Sequence, residues 1–151
     1  MVIQKAEWKD LEGILELQKK AFIETAQRYG DPLIAPLTQT LEGIREEFQE
    51  SVFLKFEREG RLMGAVRGKI EDSTAFIHRL VIHPGIQGQG WGQKLLQAME
   101  EELARAQRLV LYTGHKDCKN LHIYEKSGYQ AFKEERVNQK LILIYMEKYR
   151  N

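Results

Sequence analysis

The segment Ile82-His83-Pro84-Gly85-Ile86-Gln87-Gly88-Gln89-Gly90-Trp91-Gly92 constrains this chain more than any other. It follows a β-rich run, residues 74–82, which Pro84 must end because proline brings no N–H to a ladder. It opens residues 90–106, where Trp91, Leu95, Leu96, Met99 and Leu103 share one face of a helix. A strand therefore passes through a glycine-rich turn straight into a helix. Gly88, Gly90 and Gly92 carry no side chain to hold a ligand off the backbone. The helix that starts there offers free N–H groups and the positive end of its dipole, which suits a diphosphate. Such a turn can also do no more than join a strand to a helix. Two rival phosphate loops fail on single residues. A dinucleotide fingerprint needs a glycine where Gln93 stands, and a Walker loop needs Gly-Lys-Ser/Thr where Gly92-Gln93-Lys94 stands.

Periodicity assigns the rest. Residues 2–5 predict a short strand. Asp10 predicts a helix N-cap, followed by Leu11, Ile14, Leu15 and Phe22 at helical spacing to about Thr25. Gly30, Pro32 and Pro36 make residues 29–40 a loop. Leu41, Ile44 and Phe48 then face inward from a second amphipathic helix. Residues 52–56 and 62–70 read as strands joined by a turn at Glu59-Gly60-Arg61, with Gly64 and Gly68 allowing close packing or a bulge. Residues 109–113 predict a buried strand, 119–126 a short helix, and 129–134 with 140–146 a final antiparallel pair. The order β-α-α-β-β-β-α-β-α-β-β predicts one mixed α/β domain over residues 1–151.

Composition narrows the function classes. With 42% hydrophobic and 30% charged residues, the chain is neither disordered nor collagen-like. A net charge of +1 gives no electrostatic case for nucleic acid or an anionic membrane. Cys118 is the only cysteine, so no internal disulfide forms, which fits a reducing cytosol. The N-terminus lacks a signal-peptide core, and no apolar run nears the roughly 18 residues that span a bilayer. A soluble, cytoplasmic protein is expected. His115, Cys118 and His122 are three potential metal ligands, but they straddle a loop and a helix start with no second pair. No metal is expected.

Gln87, Gly90 and Gly92 resemble the Gln/Arg-x-x-Gly-x-Gly/Ala motif of the GNAT superfamily of acyl-CoA-dependent N-acetyltransferases, and Leu80-Val81-Ile82-His83-Pro84 resembles the strand end before it. The element order is similar over nearly the whole chain, least so before Val52. The resemblance implies a central mixed, mostly antiparallel sheet flanked by helices and splayed at the acyl-CoA site, with acetyl-CoA as co-substrate. It implies that the backbone of Gln87, Gly88, Gln89, Gly90, Trp91, Gly92 and Gln93 holds the pyrophosphate. Leu80, Val81 and Ile82 would pair with the pantetheine arm as an added strand does.

Asn120-Leu121-His122-Ile123-Tyr124-Glu125-Lys126-Ser127-Gly128-Tyr129 resembles the family's second signature. Tyr124 then matches the tyrosine that protonates the departing thiolate. A thiol pKa of about 8.5 against about 10 for a phenol makes that transfer uphill by roughly 2 kcal/mol, which a positioned hydrogen bond offsets. Many relatives carry asparagine where Asp117 stands; Asn120 is the expected contact to the cofactor arm, and Asp117 would repel phosphate if it faced inward. By the same resemblance His78 is the candidate base; Glu71, Asp72 and Glu24, which lie near loops, are fallbacks. Strand alternation puts His78, Leu80 and Ile82 on one face unless a bulge intervenes. The activity implied is acetyl transfer to a primary amine of a small molecule, by direct attack through a tetrahedral intermediate. A protein lysine or N-terminal amine is the second acceptor class, and a non-catalytic acyl-CoA sensor is the alternative from outside enzymology. Residues 29–40 and the turn near Val137 and Asn138 are expected to wall the acceptor, with Tyr29, Glu24 and Asp31 favouring a cation. A homodimer through the last strands is the assembly the resemblance implies.

Overall fold

The computed structural model describes residues 2–150; Met1 and Asn151, the ends of the expected domain, lie outside the described residues. Seven strands form one sheet: β1 (Val2–Lys5), β2 (Val52–Arg58), β3 (Arg61–Glu71), β4 (Thr74–Ile82), β5 (Arg108–Gly114), β6 (Gln130–Arg136) and β7 (Ile142–Tyr149). Their spatial order is β1-β2-β3-β4-β5-β7-β6, antiparallel throughout except where β4 runs parallel to β5. Helices α1 (Leu11–Tyr29), α2 (Ala35–Thr38), α3 (Leu41–Glu50), α4 (Trp91–Glu102) and α5 (Cys118–Lys126) flank it. The expected mixed, mostly antiparallel sheet between helices is what the chain forms.

Alternation along β2 and β3 feeds two cores. Phe53 and Ala65 join Val81, Leu11, Ile14 and Ile44 beneath α1 and α3. Leu54, Phe56 and Val66 point the other way, into Ile77, Leu95, Leu96, Met99 and Leu109 beneath α4. Both faces of the central strands are thus covered, which is why they read as nearly unbroken apolar runs. The close packing expected at two glycines is present: a Cβ at Gly64 would stand 2.7 Å from Phe56 Cδ1, and one at Gly68 2.9 Å from Leu103 Cδ1.

Local chemistry sets the ends. Glu59 and Gly60, at φ 54° and 77°, make the tight turn of the β2–β3 hairpin. Thr40 caps α3 by accepting the Gly43 N–H at 3.0 Å. Asp10 stands at the N-cap position of α1, as expected, but its side chain makes no capping bond there. It closes a one-turn 3-10 segment, Trp8–Asp10, accepting the Glu7 N–H at 2.7 Å and pairing with Lys55 at 2.9 Å. A helical turn leading into α1 leaves no break for a cap to fill. α1 also runs a turn beyond the expected end, stopping at Gly30 in the left-handed conformation, with the Gly30 and Asp31 N–H groups bonded to Gln27 and Ala26 carbonyls. The segment read wholly as a loop contains α2, because Pro36 is tolerated in a first helical turn. α4 ends at Glu102, short of the expected Ala106.

Candidate acetyl-donor groove

The sheet opens beside β4. Its parallel pairing with β5 covers only Thr74–Phe76 against Arg108–Val110. Beyond Phe76 the two strands part, leaving the Ile77–Ile82 backbone unpaired on that side. A groove of about 670 Å³ occupies the opening, bordered by Leu80, Val81 and Ile82, by the glycine-rich turn, by the start of α5 and by one side of α1.

At the turn, Pro84–Ile86 makes a single 3-10 turn, held by the Gly85 N–H donating to His83 Nδ1 at 2.9 Å. Gln87 Nε2 donates to the Ile82 carbonyl at 3.0 Å and so ties the turn to the strand end. Gly88 and Gly90 hold φ of 80° and 88°, with nothing within 4 Å of where a Cβ would stand. Gly90 is the α4 N-cap and has no side chain to occupy the first-turn donors; the Lys94 N–H is bonded to the Gly90 carbonyl at 3.2 Å. The Trp91, Gly92 and Gln93 amides are the ones a helix leaves free, and all three residues border the groove. These bare amides, in open space at the positive end of a twelve-residue helix, fit a diphosphate. Of the expected turn residues, Gln87, Gly88, Gly90, Trp91, Gly92 and Gln93 line the groove, whereas exposed Gln89 does not.

The other expected residues divide. Asn120 borders the groove, 3.5 Å from Thr113 Oγ1. Tyr124 is 5% exposed, set edge-on to Tyr129 at 6.2 Å, beneath the groove rather than in its wall. Burial first, then the charges of Asp117 and Tyr112, push its phenol well above the usual range, so it keeps its proton. Asp117 borders the groove but is not a bare carboxylate. It accepts from Arg28 at 2.5 Å, Thr113 Oγ1 at 3.1 Å and the Gly114 N–H at 3.0 Å. Tyr29 is no acceptor wall: it is buried in α1, its hydroxyl accepting the Lys116 N–H at 2.8 Å, and burial with Asp117 pushes it up to about 12.

His78 corrects the expected face. Arg67 pairs with His78 and Ala65 with Val81, so Arg79 and Leu80 together oppose Val66 in a bulge, with Arg79 at φ 53°. The extra residue resets alternation. Leu80 and Ile82 pack on the α4 side, while His78 turns to the α1/α3 side, its Nε2 3.9 Å from Glu47 Oε1. Glu47 also pairs with Arg67, which in turn donates to Gln18. Burial lowers the His78 pKa; Glu47 opposes this and the Arg67 and Arg79 charges add to it, which favours the neutral ring.

Sequence reasoning missed the groove's cationic rim. Arg28, Lys116, Lys119 and Lys126 border it against Glu24 and Asp117, an excess of two positive charges. Lys119, Ile123 and Lys126 recur at helical spacing, the one signal that could have found part of it.

Known proteins share this fold. The chain is 24% identical over 136 residues to the UPF0157 protein YqkA of Bacillus subtilis (strain 168), covering 90% of this chain and 39% of that protein, so it spans well under half the length of that curated relative. Its fold is similar to the ribosomal-protein-S18-alanine N-acetyltransferase of Escherichia coli, with a TM-score of 0.81 at 16% identity over 98% of this chain and 92% of the other. It is similar also to yncA from Salmonella typhimurium, solved with acetyl-CoA, with a TM-score of 0.75 at 20% identity over 99% and 93% of the two chains. The model of the acetyltransferase (GNAT) family matches residues 11–129, well over half of the chain, and the chain belongs to that family.

Proposed function

We propose that this chain, read as one catalytic domain, is an N-acetyltransferase that uses acetyl-CoA to acetylate a primary amine of a small molecule. The observation that carries the reading is the pair of open features on one groove: uncapped amides at the start of α4 and an unpaired β4 edge beyond Phe76. Residues 88–93 would bind the diphosphate through backbone N–H groups, within a rim carrying excess positive charge. The free β4 edge would hold the pantetheine amides as a neighbouring strand would. The bulge at Arg79 and Leu80 interrupts the β3–β4 register near the opening of the strands, where a backbone N–H would meet a developing oxyanion.

The reaction forms an N–C bond as the amine attacks the thioester carbonyl, and the C–S bond then breaks. Neutral His78 would take the proton the amine loses, directly or through water, and Tyr124 would give one to the departing sulfur. Holding both reactants in one cleft supplies much of the rate. A protein N-terminus or lysine is the second acceptor class, and the first test leaves it open.

Thermal stabilisation by acetyl-CoA tests the donor site. At about one hundred times the dissociation constant it should add roughly 2.7 kcal/mol. Gly90→Val should abolish that gain, because its side chain would fill the space above the amides. Thiol release across an amine panel tests turnover. Binding without turnover on any amine or peptide would favour a sensor, and no stabilisation by any CoA thioester would remove the reading.

A further inference from the structure

Register lines up a row of side chains across the face of the sheet beneath α1 and α3. Phe53 is opposite Arg67, and Arg67 opposite His78. Across the opening, Tyr112 is opposite Tyr145, with the two rings 5.3 Å apart. Since Phe76 pairs with Val110, His78 and Tyr112 stand at corresponding positions on either side of the gap. Glu47 reaches this row from α3.

The charges in this cluster do not balance. Arg67 donates through both Nη atoms, to Glu47, Gln18 and Gln39. Glu47 contacts Arg67 and His78, and Arg79, directly after His78 and opposite Val66, brings a second arginine to this part of the sheet. Arg79 has no hydrogen bond or ion pair from its side chain among the described residues, and its Nε is buried without a partner. Two other arginines also bury an unpartnered Nε. Arg45, however, lies over the Trp8 ring, and Arg150 donates through Nη2 to two carbonyls. Arg79 has neither compensation. It is also the residue set at positive φ on the bulge, half-buried at the mouth of the sheet and directly after His78. A buried guanidinium N–H without an acceptor, here the Arg79 Nε, costs stability unless something else supplies one.

We infer that the acceptor is an amino acid or a closely similar carboxylate-bearing amine, and that Arg79 pairs with its carboxylate while its amine lies toward His78. The inference rests on the acetyltransferase reading and reverses the expectation of a cation-selecting wall. Arg suits this task because its planar fork meets a carboxylate with two parallel hydrogen bonds. Removing one charged partner of such a pair leaves the other desolvated and unmatched, so recognition should be strict.

The test is acetylation, by thiol release and mass of the product, of the standard amino acids against their decarboxylated counterparts, such as leucine with isoamylamine and tyrosine with tyramine. At least one amino acid should show a kcat/KM about tenfold or more above its amine. Arg79→Gln should raise KM for that amino acid by a similar factor relative to any change in KM for the amine. Arg79→Lys, which keeps the charge but not the fork, should fall between. Equal or better use of the amines would overturn the inference, as would an Arg79→Gln variant with unchanged KM, or acetyl-CoA binding with no amino acid acetylated. Absence of acetyl-CoA binding would be a different failure, removing the donor site itself.

Discussion

Arg28 Nη1 donates to Asp117 Oδ1 at 2.5 Å, joining the last turn of α1 to the residue that starts α5 across the groove. Asp117 also receives the Thr113 hydroxyl and the Gly114 N–H, so one carboxylate fixes the end of β5, the start of α5 and the edge of α1. Its burial makes each of these bonds matter more than it would at the surface.

Removing either partner should therefore have unequal effects. Asp117→Ala strands three donors and should cost about 2–4 kcal/mol in urea unfolding. Arg28 is 33% exposed at its side chain, and Arg28→Ala should cost only about 0.5–1 kcal/mol. Equal losses would mean that the carboxylate is not the hub.

Tyr124→Phe separates chemistry from structure. The ring is packed against Tyr129 inside the core, and phenylalanine keeps that packing. Turnover should fall about a hundredfold, the usual size of a lost general acid. Acetyl-CoA affinity, measured by calorimetry, should stay within about threefold, because the residue does not border the groove. Unchanged turnover would take Tyr124 out of the acid role.

The Glu47–His78 pair should appear in two pH profiles. As base, His78 must be neutral, so kcat/KM should rise with pH through its pKa and level off. Burial places that rise below the ordinary histidine value of 6.5. Glu47 works to raise the His78 pKa, so Glu47→Gln should move the rise to still lower pH, and His78→Ala should erase it. Stability follows the carboxylate. Burial alone would raise the Glu47 pKa, but His78 and Arg67 outweigh it and bring it from 4.5 to about 2. A depressed carboxylate stabilises the fold above its unfolded value, and that contribution should drain away as pH falls from 4.5 toward 2. Glu47→Gln should flatten this part of an acid-unfolding curve.

The element order and the phosphate turn were legible because each rests on local signals. Apolar, β-rich runs on either side of a turn gave β2 and β3, helical spacing gave α1, α3 and α4, and three glycines marked the turn. The face of His78 was not legible. It depends on one extra residue in β4 relative to β3, and an isolated strand sequence cannot show what lies across from it. The same bulge sets Arg79 opposite Val66 at positive φ, which no spacing along the chain reports. Asp117 was misleading for a related reason, since its partner Arg28 is 89 residues away. Tyr29 looked like loop because Gly30 and two prolines follow it, yet the helix holds through the tyrosine and buries it.

Packing beneath the turn links the fold to the groove, and Gly64 is where that link can be tested. A Cβ on Gly64 would enter the Phe56 ring, with Cδ1 only 2.7 Å away. Phe56 is fully buried and stacked on Trp91 at 5.1 Å and 27°, so it can yield only by displacing the first residue of α4. Gly64→Ala should cost about 1–3 kcal/mol by overpacking and should also weaken acetyl-CoA binding, because the free amides beside Trp91 move with it. Gly60→Ala is the matched comparison. It has open space around its Cβ and only a positive φ of 77° to strain, in a hairpin turn outside the groove. It should lose about 1–2 kcal/mol and keep its acetyl-CoA affinity. If both variants bound acetyl-CoA alike, the Phe56–Trp91 stack would be packing alone and the placement of the turn would depend on the Gln87 bond to Ile82 instead.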